Sequence, residues 1–74
     1  MDKLIMVGAY RPKEKVYTFK IASTSDSMWR TYVQWQSEGY IAATACGYYH
    51  ENREQAYKVL RKKLIDTIVE KRKA

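Results

Sequence analysis

The segment from Met28 to Gln36 constrains the fold more than any other, because it fits either a strand or a helix and the rest of the chain must pack accordingly. As a strand it has two unlike faces, since successive side chains of a strand point to opposite sides of the sheet. The apolar face would hold Trp29, Val33 and Trp35, and the polar face would hold Arg30, Tyr32, Gln34 and Gln36. A strand here would therefore present a polar surface opposite a core.

The same segment also fits a helix. A helical wheel places most of its apolar and aromatic side chains on one side, with Asp26 to cap the start and Gly39 to cap the end. We prefer the strand because Trp, Thr, Tyr and Val are enriched in strands, and because Glu38 and Gly39 suit a hairpin turn into Tyr40. A helix over residues 27–37, in a ββαβα order, stays open as the alternative.

Three other segments are predicted to be strands. Lys3 to Tyr10 is an apolar run that ends at a charged loop containing Pro12, which removes a backbone donor. Val16 to Ala22 alternates apolar and polar side chains, which is typical of a half-buried strand and predicts a hairpin with the first run. Tyr40 to Tyr49 contains several small residues that would let a helix pack close to the sheet.

A helix is predicted from Asn52 to about Val69. Asn52 suits the N-cap position, and Gln55 follows three residues later as in a capping box. One apolar stripe at helical spacing contains Ala56, Tyr57, Leu60, Leu64 and Ile68. Ile65 and Val69 fall outside this stripe and could offer a small apolar patch to a partner.

These elements predict a single α+β domain over residues 1–74. We expect an antiparallel sheet of three or four strands, packed on one face by a single C-terminal helix, because the chain is too short for a second core. The predicted core consists of Tyr17, Phe19, Ile21, Trp29, Val33, Ile41, Ala45, Ala56, Leu60, Leu64 and Ile68. The opposite face of the sheet would then be uncovered.

The charge of the chain favours a polyanionic partner. Fourteen basic and eight acidic residues give a net charge of +6, and the segment from Arg53 to Ala74 holds five of those six charges. Such a chain attracts nucleic acid, an anionic surface or an acidic protein, and salt should weaken the binding. Cations at a helix C-terminus also oppose the helix dipole, so this cluster has a structural explanation as well.

Cysteine content and hydropathy favour the cytoplasm. Cys46 is the only cysteine and cannot form an internal disulfide, and among small strand residues we expect a buried thiol. The apolar run at the N-terminus is too short for a signal peptide, and no segment reaches the roughly 18 apolar residues of a membrane span.

Residue types give no support for an enzyme. His50 is the only histidine, so neither a histidine pair nor a Cys/His metal cluster can be assembled. The sequence also has no glycine-rich phosphate loop and no nucleophile motif. We therefore predict no catalytic residue, no metal and no cofactor.

The uncovered sheet face is the predicted binding surface for nucleic acid. A pair of strands can enter the major groove, where Arg pairs with guanine and Gln with adenine. On this face the candidates are Lys20, Arg30, Tyr32, Gln34, Gln36 and Thr44. Cations of the helix would contact phosphates and orient the protein, namely Lys58, Arg61, Lys62, Lys71, Arg72 and Lys73. A polar face that is simply solvated is the structural explanation of the same pattern.

From Trp29 through Tyr57 the chain resembles the three-stranded DNA-binding domains of the AP2 type and the N-terminal arm-binding domains of phage and transposon integrases. The residues that carry the resemblance are Trp29, Thr31, Val33, Cys46, Gly47, Tyr48, Tyr49, Asn52, Gln55, Ala56 and Tyr57. It implies three antiparallel strands against a C-terminal helix, with the uncovered sheet face in the major groove. It also implies contacts to duplex DNA from Lys20, Arg30, Gln34, Gln36 and Thr44.

We therefore expect a non-catalytic, DNA-binding accessory or regulatory protein of the kind that phages and mobile elements encode. The alternative is a protein-interaction module with an interface rich in Tyr and Trp, either a small inhibitor of an acidic protein or a homodimer through Ile65 and Val69.

Overall fold

The computed structural model describes residues 2–49 and 52–73, and it has the element order ββαβα. The elements are β1 (Asp2–Arg11), β2 (Val16–Ala22), α1 (Ser25–Ser37), β3 (Ile41–Tyr49) and α2 (Arg53–Lys73). This is the predicted α+β class, with an antiparallel sheet and a C-terminal helix.

The sheet has three strands in the order β2-β1-β3, and both pairings are antiparallel. The predicted hairpin of β1 and β2 is confirmed, with Arg11 opposite Val16 at its closed end. Lys15 completes the turn with a φ of 55° and donates its backbone N–H to the Arg11 carbonyl oxygen at 2.8 Å. Because β1 pairs on both sides, β2 and β3 form the edges of the sheet.

α2 packs on one face of the sheet and forms the main core with it. Leu60, Leu64 and Ile68 are buried, as the apolar stripe predicts. Their partners in the sheet include Leu4 and Met6 of β1, which share one face because they are two residues apart.

The other face of the sheet is covered by α1, which contacts all three strands. The intervening residues of β1, namely Ile5, Val7 and Ala9, are buried as well. Because neighbouring side chains of β1 point to opposite faces, burial of the whole run from Leu4 to Tyr10 requires a layer on each side. The expectation of an uncovered sheet face is therefore wrong.

The preferred strand at Met28–Gln36 is also wrong, and the helical alternative is what the chain adopts. Thr24 caps α1, since its hydroxyl accepts a hydrogen bond from the Ser27 backbone N–H at 3.0 Å. Asp26 lies in the first turn, where its charge favours the helix dipole, and is not the cap. Burial outweighs the strand propensity of this segment. Both faces of the apolar strand β1 must be shielded from water, and α1 shields the face that α2 leaves open.

The glycine that the helical alternative names lies just beyond the end of α1. The Glu38 backbone N–H donates to the carbonyl oxygens of Gln34 and Trp35, each at 3.1 Å. Gly39 follows with a φ of 89°, a left-handed conformation that favours glycine. Glu38 and Gly39 therefore terminate a helix and do not form the predicted hairpin turn.

α2 begins as predicted and continues one turn beyond the predicted end. The side chain of Asn52 accepts a hydrogen bond from the Gln55 backbone N–H at 3.0 Å, which confirms the N-cap. Lys71, Arg72 and Lys73 belong to the last helical turn, where positive charge interacts favourably with the helix dipole.

The predicted core is confirmed for its helical part and wrong in two other regions. Ala45 is buried with the three apolar α2 residues, and Tyr17, Phe19, Ile41 and Ala56 pack against that cluster. Trp29 and Val33 are exposed because they lie on the outward side of α1, and Ile21 is exposed at the β2 edge. Cys46 is exposed and not buried, because it lies on the other edge strand.

Candidate nucleic-acid interface

The polar side chains predicted to read bases lie along α1 and bond to neighbours within it. Arg30 forms an ion pair with Asp26 at 2.9 Å, and both side chains are exposed. The amide of Gln34 donates to Glu38 at 3.3 Å, while the amide of Gln36 donates to the Tyr32 hydroxyl at 3.1 Å. Each bond joins residues one helical turn apart, so these four side chains do not form the planar sheet surface that the strand prediction required.

Lys20 and Thr44 remain in strands but do not belong to an open surface. Both point to the α1 side of the sheet, since Lys20 and Thr44 each pair with Val7, whose side chain is buried on that side. Thr44 is half-buried and Lys20 is exposed at the β2 edge. The structure therefore separates them from each other by the width of the sheet.

The predicted phosphate contacts at the end of α2 lie next to the hairpin turn. The guanidinium carbon of Arg72 lies 4.5 Å from the ring centroid of Tyr10, and that ring lies 4.7 Å from the ring of Tyr17. Tyr10 and Tyr17 pair directly before the loop that contains Lys13 and Lys15. Two basic segments that are about 60 residues apart in the chain thus share one end of the molecule.

Aromatic rings position the cations of this end. Arg11 lies 4.4 Å from the ring centroid of Tyr40, in addition to its 3.0 Å ion pair with Glu14. The hydrogen bond to Glu14 raises the pKa of the Arg11 guanidinium. Lys71 lies 5.1 Å from the ring centroid of Tyr32. Cations held over ring faces lose less conformational freedom on binding than free side chains do.

We call this region the basic end and define it as residues 11–15 and 71–73. Its side chains are three cations and one carboxylate in the loop and three cations in the helix. These eight residues hold five of the six net charges of the chain. Glu38 also lies close enough to act on Arg11, which lowers the local excess of positive charge without removing it.

Lys58, Arg61 and Lys62 form a second basic patch on α2, about three turns away from the basic end. Arg61 lies 4.7 Å from the ring centroid of Phe19 and 5.7 Å from that of Tyr57, so it covers the core beside β2. Lys58 is 3.9 Å from Glu54, and both side chains are largely exposed. These cations are available to solvent but are interrupted by acidic neighbours.

Sequence reasoning missed the basic residues of the hairpin loop. In the sequence, Arg11, Lys13 and Lys15 have the pattern of a charged turn, because a loop between strands is usually polar. The signal that could have found them is the pairing of the two strands, since a hairpin projects its loop beyond the sheet. Their proximity to Arg72 could not be read from the pattern, because it depends on the direction in which α2 crosses the sheet.

The remaining functional predictions concern histidine, metal binding and membrane crossing. His50 lies outside the described residues. Among residues 2–49 and 52–73, no group of three or more His, Cys, Asp or Glu side chains is placed to hold a metal ion. No helix in this part of the chain has both the length and the apolar character needed to cross a bilayer.

No protein-family model, curated protein or solved structure matches this chain. The resemblance to AP2-type and integrase arm-binding domains therefore stays a prediction. Any functional conclusion must come from the surface of the molecule itself.

Proposed function

We propose that this chain is a small, non-catalytic protein that binds duplex DNA by its phosphate backbone, with the basic end as the contact surface. The observation that carries the proposal is the convergence of the hairpin loop and the last turn of α2, which concentrates most of the net charge. Phosphate contacts position a protein on a duplex without reading its sequence. The role that fits is that of an accessory or regulatory protein.

The shape of the basic end supports this mode of binding. Lys13 and Lys15 lie in an exposed turn, and Lys73 lies in the last turn of α2. A projecting loop beside a helix end offers cations at two positions, and successive phosphates along a duplex strand can meet both. The aromatic contacts of Arg11 and Arg72 restrict the two guanidinium groups, which suits bidentate binding to phosphate.

The experiment is a titration of labelled duplex DNA with the purified protein across a salt series. Four to six phosphate contacts predict that the logarithm of the binding constant falls with the logarithm of salt concentration with a slope of about −4 to −5. Single-stranded DNA and duplex RNA of the same length serve as competitors. We expect the duplex DNA to bind most tightly.

Matched double variants separate the basic end from charge in general. Lys13→Gln with Lys15→Gln removes two charges from the hairpin loop. We expect the dependence of the binding constant on salt to become weaker, with a slope less negative by about 2. Lys3→Gln with Lys20→Gln removes the same charge from the α1 side of the sheet and should leave the slope nearly unchanged. Equal losses in the two variants would contradict a localised contact surface, and an absence of binding at low salt would remove the proposal.

A further inference from the structure

The outer edge of β3 is open to an additional strand. β3 pairs with β1 on one side only, and no described residue pairs with its other side. The Ala42 carbonyl oxygen points outward, because it accepts a hydrogen bond from Lys71 Nζ at 2.6 Å. In an antiparallel strand the outward N–H and C=O groups belong to alternate residues, so Thr44, Cys46 and Tyr48 also direct theirs outward.

The two edges of the sheet differ in how they resist strand addition. Natural proteins protect such edges with charged residues, with proline or with a covering element. β2 contains Lys20, which is exposed. β3 spans nine residues, Ile41–Tyr49, and none of them is charged or proline. Among the described residues, Lys71 hydrogen-bonds to this edge, and it does so at Ala42, near one end of the strand.

One exposed apolar side chain of α2, Val59, flanks the open edge. Val59, Lys63, Thr67 and Lys71 follow at four-residue intervals and form one row beside the buried row of Leu60, Leu64 and Ile68. Because Lys71 reaches β3, this row faces the open edge. Val59 is 60% exposed and lies near the level of Gly47, because its neighbour Leu60 lies next to Gly47.

α1 and β3 itself add aromatic surface to the same edge. The ring of Trp29 stacks on that of Tyr32 with centroids 5.2 Å apart, and the Tyr32 hydroxyl accepts a hydrogen bond from Lys71 at 3.1 Å. Trp29 therefore lies on the outer flank of α1 next to the open edge of β3, and it is 58% exposed. Tyr48 of β3 is 62% exposed. Exposed apolar surface is thus present on both sides of unpaired backbone, as expected of an interface.

We propose that β3 pairs antiparallel with β3 of a second copy of this chain, giving a two-fold symmetric dimer with a continuous six-stranded sheet. This inference goes beyond the proposed DNA binding and does not depend on it. It also differs from a dimer through Ile65 and Val69, which are half-buried on the opposite flank of α2, toward β2.

The free backbone groups define the register of the dimer. Lys71 occupies the Ala42 carbonyl, so the open stretch consists of Thr44, Cys46 and Tyr48. A two-fold axis at Cys46 pairs Thr44 with Tyr48 of the partner subunit in both directions and leaves none of the three without a partner. Directly opposed residues of this kind have Cα atoms about 5.5 Å apart. The two Cys46 side chains would therefore be neighbours.

A second copy fits this edge better than a different strand because a two-fold axis makes the α2 flank self-complementary. A two-fold axis near Cys46 brings Val59 of α2 close to its own equivalent, so that apolar surface meets apolar surface. The absence of charge in β3 allows two copies with a net charge of +6 to approach here. The basic end lies near Ala42, at the far end of the open stretch from Tyr48, and stays away from the axis.

The experiment is sedimentation analysis of the full chain over a concentration series, with two matched variants. Val59→Lys places a charge beside the axis, and we expect the dimer dissociation constant to rise at least about tenfold. Val16→Lys places the same charge on β2, where the native valine is 47% exposed, and should leave the constant unchanged. Circular dichroism of both variants should match that of the native chain, because both positions are exposed.

Cross-linking of the native cysteine tests the register. A bismaleimide with a short spacer should join two chains through Cys46 and give a species of twice the chain mass. A Cys46→Ser, Val16→Cys variant moves the thiol to β2 and should give none. A chain that stays monomeric at millimolar concentration would overturn the proposal, as would a dimer that Val59→Lys leaves intact or one that cross-links through β2.

Discussion

The two helices cover opposite faces of one sheet, yet they contribute to the molecule in different ways. α2 buries Leu60, Leu64 and Ile68 in the main core, and its cations occupy the exposed side. α1 lies wholly within the described residues and has no buried side chain, although it contains two tryptophans. Its inward residues, including Met28 and Trp35, are only half-buried.

α2 therefore contributes most to the stability of the fold, whereas α1 mainly excludes water from one face of the sheet. α2 follows a regular apolar stripe, and its burial of about three large side chains contributes several kcal/mol. α1 excludes water from Val7 and Ala9, but it leaves the rings of Trp29 and Tyr32 available for contact. Substitutions in the two helices should therefore have unequal effects on the free energy of unfolding.

The largest effect is expected from Leu64→Ala. Leu64 has no exposed surface, so its truncation should lower the free energy of unfolding by about 2–5 kcal/mol. Trp29→Ala removes a larger side chain from α1, but that side chain is mostly in solvent, and the loss should be under about 1 kcal/mol. Urea denaturation of both variants measures the difference. Comparable losses would mean that α1 is as much a part of the core as α2.

Gly8→Ala should have the next largest effect, because α2 approaches the sheet closely there. A Cβ atom at Gly8 would lie 2.9 Å from Cδ1 of Phe19 and 3.2 Å from Cβ of Leu64, so neighbours must shift, at a cost of about 1–3 kcal/mol. Gly47→Ala is the matched control, since its new Cβ would lie 3.6 Å from Leu60, an ordinary contact. Thermal melts should show a clear decrease for Gly8→Ala alone.

Loss of the N-cap of α2 should cost about 1 kcal/mol, and loss of the N-cap of α1 should cost less, so the pair tests how much α1 contributes to stability. Thr24→Ala removes the hydrogen bond to the Ser27 N–H, and Asn52→Ala removes the one to the Gln55 N–H. If α1 is only a loosely held cover, Thr24→Ala will cost less than Asn52→Ala in chemical denaturation. A larger loss for Thr24→Ala would reverse the ranking of the two helices.

The smallest effect concerns the bond between the helices. Lys71 of α2 donates to the Tyr32 hydroxyl of α1 at 3.1 Å, and both side chains are accessible to solvent. A double-mutant cycle with Lys71→Met and Tyr32→Phe should give a coupling energy of about 0.5 kcal/mol. A coupling near zero would indicate that the two helices stabilise the sheet independently.

The regular parts of this fold could be predicted from the sequence. β2 has the predicted bounds, because its alternation of apolar and polar residues fits only a strand. α2 starts at the predicted cap, because its apolar residues recur about every four positions, which fits only a helix. The pattern of Met28–Gln36 fits both a strand and a helix, and residue propensity favours the strand, which is wrong. The continuous apolar run of β1 was the better guide, since a strand buried on both faces requires two layers.

The candidate surface was less predictable than the fold. Lys71, Arg72 and Lys73 were identified from sequence, but their neighbours in the hairpin loop were not, because only the packing of α2 against β1 brings them together. The sheet surface on which base contacts are predicted depends on the strand assignment, and that surface does not form because the segment is a helix. A surface assembled from distant segments has no local pattern that could reveal it.

An NMR titration of the isotopically labelled protein with short duplex DNA can show whether the basic end is the contact surface. We predict that the backbone amides of Arg11, of residues 13–15 and of residues 71–73 shift together and saturate at the same DNA concentration, while amides of the first turns of α1 barely move. Shifts centred on Arg30, Gln34 and Gln36 without changes in the hairpin loop would contradict the account.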